Sequence, residues 1–463
     1  MRRLALAAAI LIALGAPARS EEPAPATSPS TPLPAASPVA PTRQDGAPPA
    51  ALRLEDALRE ALEESPALRQ ARSRVREAGH RIDEARSGGN PQIGLQAGYM
   101  YVTPTLDFAM PGAGALPIVR HDNWQAGVQI QQALYTFGRL EWASEAAELA
   151  RKAAREDYRR EAEDLLARTA QGWLELAWRR DEARVAAERL EARRLHRQDT
   201  EKMFQAGSVA LYDTLASRAA EADAEQRLLS ARNRVEVARA RLQTLLGRPV
   251  DAPLEVASEA LPEPPVEERA AGFTRALERR PELAALDQAL QATRARMHLE
   301  ESQDNPNLGL ATGYTRRTGT AFQTEDMFSA GLNLSIPLWD GGAAEARASQ
   351  AREAAVQLEE GLEGLRRQVR LDVEESWLDL EESRKRIAVA RFGLEQATEA
   401  HRIAKLRYSV GAGTNLEVLD AQSALSQARM DLAECEFRLR SAWFRWLRAT
   451  SGTFPVAVPE LED

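Results

Sequence analysis

The sequence predicts a mainly α-helical fold with a small β part, built from two copies of one helix–strand–strand–helix unit. Three observations support this fold class. The segment Asn90 to Tyr99 (NPQIGLQAGY) recurs as Asn305 to Tyr314 (NPNLGLATGY). Each copy leads into a second run of alternating apolar residues, and each of those runs leads into a long stretch without proline. The duplication sets the frame for every later assignment, because a repeat of this kind determines the fold.

The repeat extends over most of the chain. Gln125 to Tyr135 corresponds to Ser329 to Trp339, and the break at Phe204 to Gly207 corresponds to the break at Tyr408 to Gly411. The spacing between equivalent positions changes at one place only. We therefore expect the two repeats to differ in a single loop, Met100 to Trp124, which is the longer of the two.

Composition and charge exclude several classes of function. The 463 residues carry a net charge of -9 with acids and bases interleaved, so we expect no nucleic-acid partner. The single Cys435 excludes an internal disulfide. His196 and His401 lie in charged helical stretches and are interpreted as surface or seam residues. Without a nucleophile–base set, metal-ligand spacing or phosphate loop, the sequence predicts no enzyme activity and no cofactor.

The amino terminus has the pattern of an export signal. Arg2-Arg3 form a basic region, Leu4 to Leu14 an apolar region, and Ala18-Arg19-Ser20 a small-residue cleavage site. The apolar run is shorter than the ~20 residues that a membrane-spanning helix needs. We expect an exported mature protein without a transmembrane helix.

Ordered structure is predicted to begin at Leu52, after a leader rich in proline, alanine and serine. A short amphipathic helix precedes Pro66, which starts a second helix because proline is favoured at the first helical position. The second helix reaches about Ala85, before the Gly- and Pro-containing break at Ser87 to Pro91.

Four alternating runs, two in each repeat, predict strands with one apolar face and one small or polar face. Their length matches the ~9–11 residues of a tilted membrane strand. Four strands cannot close a barrel, and open sheet edges are not tolerated in lipid, so several chains would have to share one barrel. Soluble hairpins packed on helix ends also alternate, and periodicity alone leaves both interpretations open.

Two very long helices are predicted after the strands. Arg139 to about Gln205 and Ala343 to about Ser409 contain no proline. At ~1.5 Å per residue, each helix approaches ~100 Å, far beyond the size of a compact domain. Each is followed by a return helix, Leu211 to Leu246 or Asn415 to Thr450.

The duplicated order of elements, the NPxxGLxxGY strand starts, the SIPLWDGG segment at Ser335 to Gly342 and the RYSVGAGTNLEVLDAQ segment at Arg407 to Gln422 carry a family resemblance. On these features the region from about Leu52 to Gly452 resembles the TolC-like outer-membrane efflux family. The resemblance implies a homotrimer, with a twelve-stranded membrane β-barrel that continues into a long periplasmic α-helical barrel.

The resemblance also implies function and partners. It implies a channel subunit of a tripartite efflux or type I secretion system in the outer membrane of a Gram-negative bacterium, extending into the periplasm. Such a passive export duct contacts outer-membrane lipid, a periplasmic adaptor (membrane fusion protein) and an inner-membrane transporter. The alternative is a periplasmic structural coiled-coil or adaptor protein that does not span the membrane. The four alternating strands disfavour it.

A periplasmic gate is implied at the ends of the long helices. By resemblance, Tyr408 falls at the family's gate tyrosine, Asp213 at the aspartate of the opposite repeat, and Glu417 and Asp420 at a ring of acids in the narrow mouth. Gly413 stands where the archetype has an arginine, so half of this lock is missing.

Structural roles compete at three of these positions. Thr414-x-x-Glu417 has the pattern of a capping box, which is compatible with a place in the ring. Asp213 lies in the same position of its helix and shares that ambiguity. Tyr408 fits the packing of a coiled-coil seam, whereas Asp420 lies too deep in its helix to cap it.

The predicted organisation follows from these assignments. In order it comprises a signal peptide (1–20), a leader (21–51), a first repeat (52–247) with strands at about 92–102 and 125–135, a linker (248–266), a second repeat (267–452) with strands at about 307–315 and 328–338, and a C-terminal tail (453–463).

Overall fold

The structure is a computed structural model that describes residues 51–104, 107–110, 114–117, 119–257, 264–320 and 326–461. The predicted signal peptide and nearly all of the predicted leader lie outside the described residues. None of the helices in these ranges combines the length and the apolar character that a bilayer-spanning helix needs.

Two short helices open each repeat. The first repeat has α1 (Leu54–Glu64) and α2 (Pro66–Ser87), and the second has α5 (Arg269–Arg279) and α6 (Pro281–Glu301). Both α2 and α6 begin with proline, as predicted. The apolar residues of α1 recur every three or four positions, which places them on one buried face.

One four-stranded antiparallel sheet contains strands from both repeats. Its order is β1–β4–β5–β6, and the bounds of these strands are β1 (Gln92–Tyr101), β4 (Val119–Tyr135), β5 (Asn307–Thr320) and β6 (Asp326–Ser335). A separate hairpin joins β2 (Asp107–Met110) to β3 (Gly114–Pro117).

Several strand boundaries differ from those predicted, and β5 extends to Thr320 where its predicted end was about residue 315. The segment predicted as a single loop contains the β2–β3 hairpin and the first residues of β4, so strand pairing continues well beyond the alternating run. β6 ends at Ser335, before its predicted end. Pro337 follows at that point, and its missing N–H cannot continue the hydrogen-bond ladder.

The strand register gives the sheet two unlike faces. Gln96 is opposite Gly127, and Gln129 is opposite both Gly94 and Gly313, so glutamine and glycine share one face. Ile93 belongs to the other, apolar face and is 70% exposed. No described part of the chain covers this apolar face.

Two helices of 67 residues each follow the strand pairs, α3 (Arg139–Gln205) and α7 (Ala343–Ser409). Each begins after a glycine with left-handed backbone, Gly138 (φ 95°) or Gly342 (φ 82°), a conformation that glycine adopts without steric cost. The return helices are α4 (Leu211–Leu246) and α8 (Asn415–Ala449). These helix bounds confirm the prediction closely.

The hydrophobic core lies along the middle of the long helices. Trp173 of α3 is buried at its centre, and its Nε1 donates a hydrogen bond to the carbonyl of Leu52 at 2.9 Å. Leu52 also forms a parallel β-bridge with Val256 in the predicted linker. In the second repeat, Trp446 of α8 is packed so closely on Gly272 of α5 that a Cβ there would overlap its ring.

Candidate gate at the helix tips

The predicted gate residues lie at the two tips where the chain leaves a long helix and enters its return helix. Gly207 (φ 68°) and Gly411 (φ 74°) have left-handed backbone at the two turns, as expected for glycine at a helix carboxyl end. The first tip joins α3 to α4, and the second joins α7 to α8.

Asp213 caps α4 and also contacts the second repeat. Its Oδ2 accepts a hydrogen bond from the Ala210 N–H at 3.3 Å. Its Oδ1 lies 3.5 Å from Nδ2 of Asn415, the first residue of α8. A cross-repeat contact of Asp213 is therefore present, and the residue that it contacts is Asn415.

Tyr408 is half-buried near the end of α7. Its ring centroid lies 5.9 Å from that of His196 on α3, so it packs in the seam between the repeats. Burial raises the pKa of the Tyr408 hydroxyl, and the nearby carboxylate of Asp213 adds to this effect. Among the described residues, no hydrogen bond joins this hydroxyl to Asp213.

Thr414 and Glu417 begin α8. The Thr414 Oγ1 accepts a hydrogen bond from the Glu417 N–H at 3.2 Å, as the capping pattern predicts. The Glu417 carboxylate turns toward Arg407, with 3.5 Å between Oε2 and Nη1. A Cβ on Gly413 would lie 3.2 Å from the Tyr408 nitrogen, so this position favours glycine in so tight a turn.

Asp420 is exposed on the next turn of α8, and the residue that faces this turn is Arg193 of α3. Arg193 is 4% exposed, and its Nη2 donates to the Leu419 carbonyl at 2.9 Å and to Ser423 Oγ at 2.7 Å. Burial lowers the pKa of Arg193 to about 10; Arg189 acts in the same direction, whereas Asp420 opposes it.

The sequence analysis missed Arg193. An arginine in a charged helical stretch is usually solvated, and nothing in its spacing distinguishes it from its neighbours. His196 was interpreted as a surface or seam residue, and it lies in the seam. Its hydrogen bond was not anticipated: Nε2 lies 2.5 Å from Asn415 Oδ1. Burial lowers the pKa of His401, and the charges of Lys405, Arg429 and Arg193 lower it further.

A cavity of about 500 Å³ lies between α3 and α7 beside these residues, and Tyr408, His196 and Gln422 contribute to its walls. Across the described ranges, no three His, Cys, Asp or Glu side chains are grouped so that they could hold a metal ion. The polar groups at the tips join one helix to another. The arrangement is therefore suited to holding or releasing the two tips.

Known proteins with similar sequences match this chain across both repeats. The profile of the family described as outer membrane efflux protein matches residues 57–248 and 273–452. The chain is 27% identical to outer membrane protein TolC of Escherichia coli (strain K12), over 81% of this chain and 77% of that protein. It is 25% identical to the alkaline protease secretion protein AprF of Pseudomonas aeruginosa, over 74% and 72% of the two chains.

Solved structures agree on the fold. The outer membrane channel CmeC of Campylobacter jejuni superimposes with a TM-score of 0.75 at 14% identity, over 86% of this chain and 85% of that one. The outer membrane protein VceC of Vibrio cholerae gives 0.71 at 22% identity, over 86% and 96%. The mainly helical architecture with its small sheet is thus that of known outer-membrane channels.

Proposed function

The chain belongs to the outer membrane efflux protein family, and we propose that it forms the outer-membrane channel of a tripartite efflux or type I secretion system. The observation that carries this proposal is the four-stranded sheet with an uncovered apolar face, continued by two 67-residue helices. Such a sheet is suited to lipid on one side and water on the other. The helices have the length to extend the duct across the periplasm.

A ring of copies would give every strand of the sheet a partner. Within the described chain, β1 and β6 are the outer strands, and the β4–β5 pair joins the first repeat to the second. The equivalent pair at the next junction would be β6 of one copy with β1 of its neighbour. Closure is required in lipid, where unpaired backbone groups cannot be solvated. Three copies, as in the family archetype, would supply twelve strands.

The helices support the same ring. Apart from its own return helix, α3 packs against α2, α6 and α8, whereas α7 packs mainly against α6 within the described chain. Because α2 and α6 occupy equivalent places in the two repeats, the free flank of α7 would receive α2 of the next copy. A closed ring of identical copies is thus favoured by the duplication itself.

Paired tyrosines and aspartates support the placement of the apolar face in lipid. Tyr99 Oη lies 2.5 Å from Asp122, and Tyr314 Oη lies 2.6 Å from Asp326 at the equivalent position of the second repeat. Both pairs lie toward the strand ends farthest from the helices. Aromatic residues with a polar partner are typical of a membrane–water interface, so these pairs would mark the outer limit of the lipid-facing band.

We further propose that Tyr408, Asp213, Glu417 and Asp420 belong to a gate at the periplasmic mouth, where an adaptor and an inner-membrane transporter would engage. Three copies of Asp420 around a narrow opening would repel one another and attract cations. The duct itself would be passive. The energy for transport would come from the inner-membrane partner.

Single-channel conductance of the purified protein in planar bilayers, with its mass determined in the same detergent, tests the proposal. We expect a trimer with small, cation-selective openings, and weaker cation selectivity for Asp420→Asn. Asp431→Asn, an exposed acid farther along α8, is the matched control. An anion-selective channel would contradict the acidic mouth. A folded oligomer that never inserts would favour the periplasmic coiled-coil alternative.

A further inference from the structure

We propose that His196 and Arg193 of α3 are positioning residues that hold the tip of α8 and so keep the mouth closed, a role that rests on the proposed gate. Each of the two residues makes one of three contacts between α3 and α8, and these three contacts are here called the inter-repeat latch. The contacts are Glu188 with Arg429, Arg193 with Leu419 and Ser423, and His196 with Asn415.

The latch follows one line along the seam. Its residues on α3 ascend in sequence toward the tip, while their partners on α8 descend, as antiparallel neighbours do. At ~1.5 Å rise per residue, the three contacts fall on successive turns, about 5–8 Å apart. The latch therefore covers the last turns of α3 and the first four turns of α8, which carry Glu417 and Asp420.

His196 occupies the end of the latch nearest the tip and connects three helices through one amide. Asn415 is buried, and its Nδ2 faces Asp213 at the start of α4. Its Oδ1 must then accept from His196, which fixes Nε2 as the protonated nitrogen. The chain His196–Asn415–Asp213 ties the end of α3 to the starts of both return helices.

Arg193 strengthens the latch because its charge is out of water. A charged donor on a carbonyl and a hydroxyl makes stronger hydrogen bonds than neutral pairs do, and its loss removes both of these cross-repeat hydrogen bonds. The equivalent residue on α7 is Ala397, which cannot make such contacts. The latch is therefore a property of the first repeat's long helix.

This arrangement accounts for the glycine at position 413. The family resemblance implies an arginine at this position. Here the cationic side chain in the seam between the repeats is Arg193 of α3. The turn at Gly413 is consequently free to be tight, with Tyr408 and Glu417 closing around it.

Hydrogen exchange of the detergent-purified full chain, together with its conductance, tests the latch. We expect His196→Ala to speed amide exchange over residues 415–423 by about three- to tenfold, because one buried hydrogen bond is lost, and to raise the leak conductance. His196→Gln, whose amide nitrogen can donate in the same direction, should stay near wild type. His80→Ala, an exposed histidine of α2, is the control.

Three results would overturn the proposal: unchanged exchange and conductance in His196→Ala, an equal change in His80→Ala, or a defect in His196→Gln as large as in His196→Ala. In a double-mutant cycle, His196→Ala should add little once Asn415→Ala is present; full additivity would also contradict the latch. If the wild type forms no channel but tip exchange responds as stated, the channel function fails and the latch stands.

Discussion

The long helices α3 and α7 occupy equivalent places in the duplication and have the same 67-residue length, yet they are buried differently. α3 carries the buried charged residues Glu163, Glu182 and Arg193. Their equivalents on α7 are the exposed Arg367 and Arg386 and the half-buried Ala397. One helix is enclosed by its own chain, whereas the other is exposed along one flank.

Apolar residues make the same distinction. Leu174 of α3 is 3% exposed, but the equivalent Leu378 of α7 is 51% exposed. Leu371 of α7 is likewise exposed, where α3 has the buried Ala167. Apolar area left in water forgoes ~25 cal/mol per Å². The comparison teaches that duplication gave α3 neighbours within the chain and left α7 with an exposed flank, which another copy would cover in the proposed ring.

The largest expected effect comes from removing the charge that anchors α3. Arg448 of α8 lies 2.5 Å from Asp164, 2.5 Å from Glu282 on α6 and 3.6 Å from Glu163. Arg448→Met leaves the buried Glu163 and the half-buried Asp164 and Glu282 without their cation, so we expect a loss of about 3–5 kcal/mol in the free energy of unfolding. Denaturant unfolding in detergent measures it.

Arg445→Met is the matched control on the same helix, because Arg445 makes an exposed pair with Asp379 at 2.6 Å. Exposed pairs contribute about 0–1 kcal/mol. Equal losses of unfolding free energy in the two variants would mean that the charges around Arg448 stabilise the packing of α3 no more than an exposed ion pair does.

A substitution on the uncovered flank of α7 should act on assembly. In Leu378→Glu a carboxylate replaces apolar surface that we expect a partner copy to cover. Because Leu378 is 51% exposed, the change removes roughly half of the ~1.5–3 kcal/mol that full burial of a leucine contributes. The trimer fraction, measured by light scattering in detergent, should fall. Leu378→Met preserves volume and should assemble normally. A fully trimeric Leu378→Glu would show that this flank faces solvent in the assembly.

The smallest effect is expected from Glu163→Gln and depends on pH. Burial raises the pKa of Glu163, with Arg448 and Ser451 opposing the shift. A carboxyl whose pKa is raised on folding stabilises the fold below its unfolded pKa, about 4.3, and loses that contribution as pH rises through its folded value. The melting temperature of the wild type, measured relative to that of Glu163→Gln, should therefore be lower at about pH 8 than at about pH 4.

Arg367→Gln, at the equivalent exposed position of α7, should change the melting temperature equally at both pH values. A difference between wild type and Glu163→Gln that stays constant with pH would instead place the Glu163 carboxyl in a water-like environment.

The extent to which sequence predicted this molecule depends on the kind of signal. The helix bounds at Arg139, Gln205, Ala343 and Ser409 were predicted because glycine marks the breaks on either side. Strand β4 was predicted too short, since its first residues carry no clean alternation. At the tip, the cap at Thr414 was predictable because it is local in sequence.

Tertiary neighbours were not predictable in the same way. Arg193 and Glu163 lie in helical stretches whose many charged residues predict exposure to solvent. Only the packing in the structure shows that α8 covers them. The resemblance identified Asp213 as a gate residue, but it gave no indication that Asn415 is the residue that Asp213 contacts. Periodicity identifies a buried face, but it does not say which distant element buries it.

The outer strands β1 and β6 have a genetic consequence. In the proposed ring, where neighbouring copies complete the sheet, a chain would not function alone, and one defective copy would spoil the ring that it joins. If normal and defective subunits were made in equal amounts and mixed freely in trimers, only about one ring in eight would be free of defective copies. Loss-of-function alleles that still assemble would therefore behave as dominant negatives.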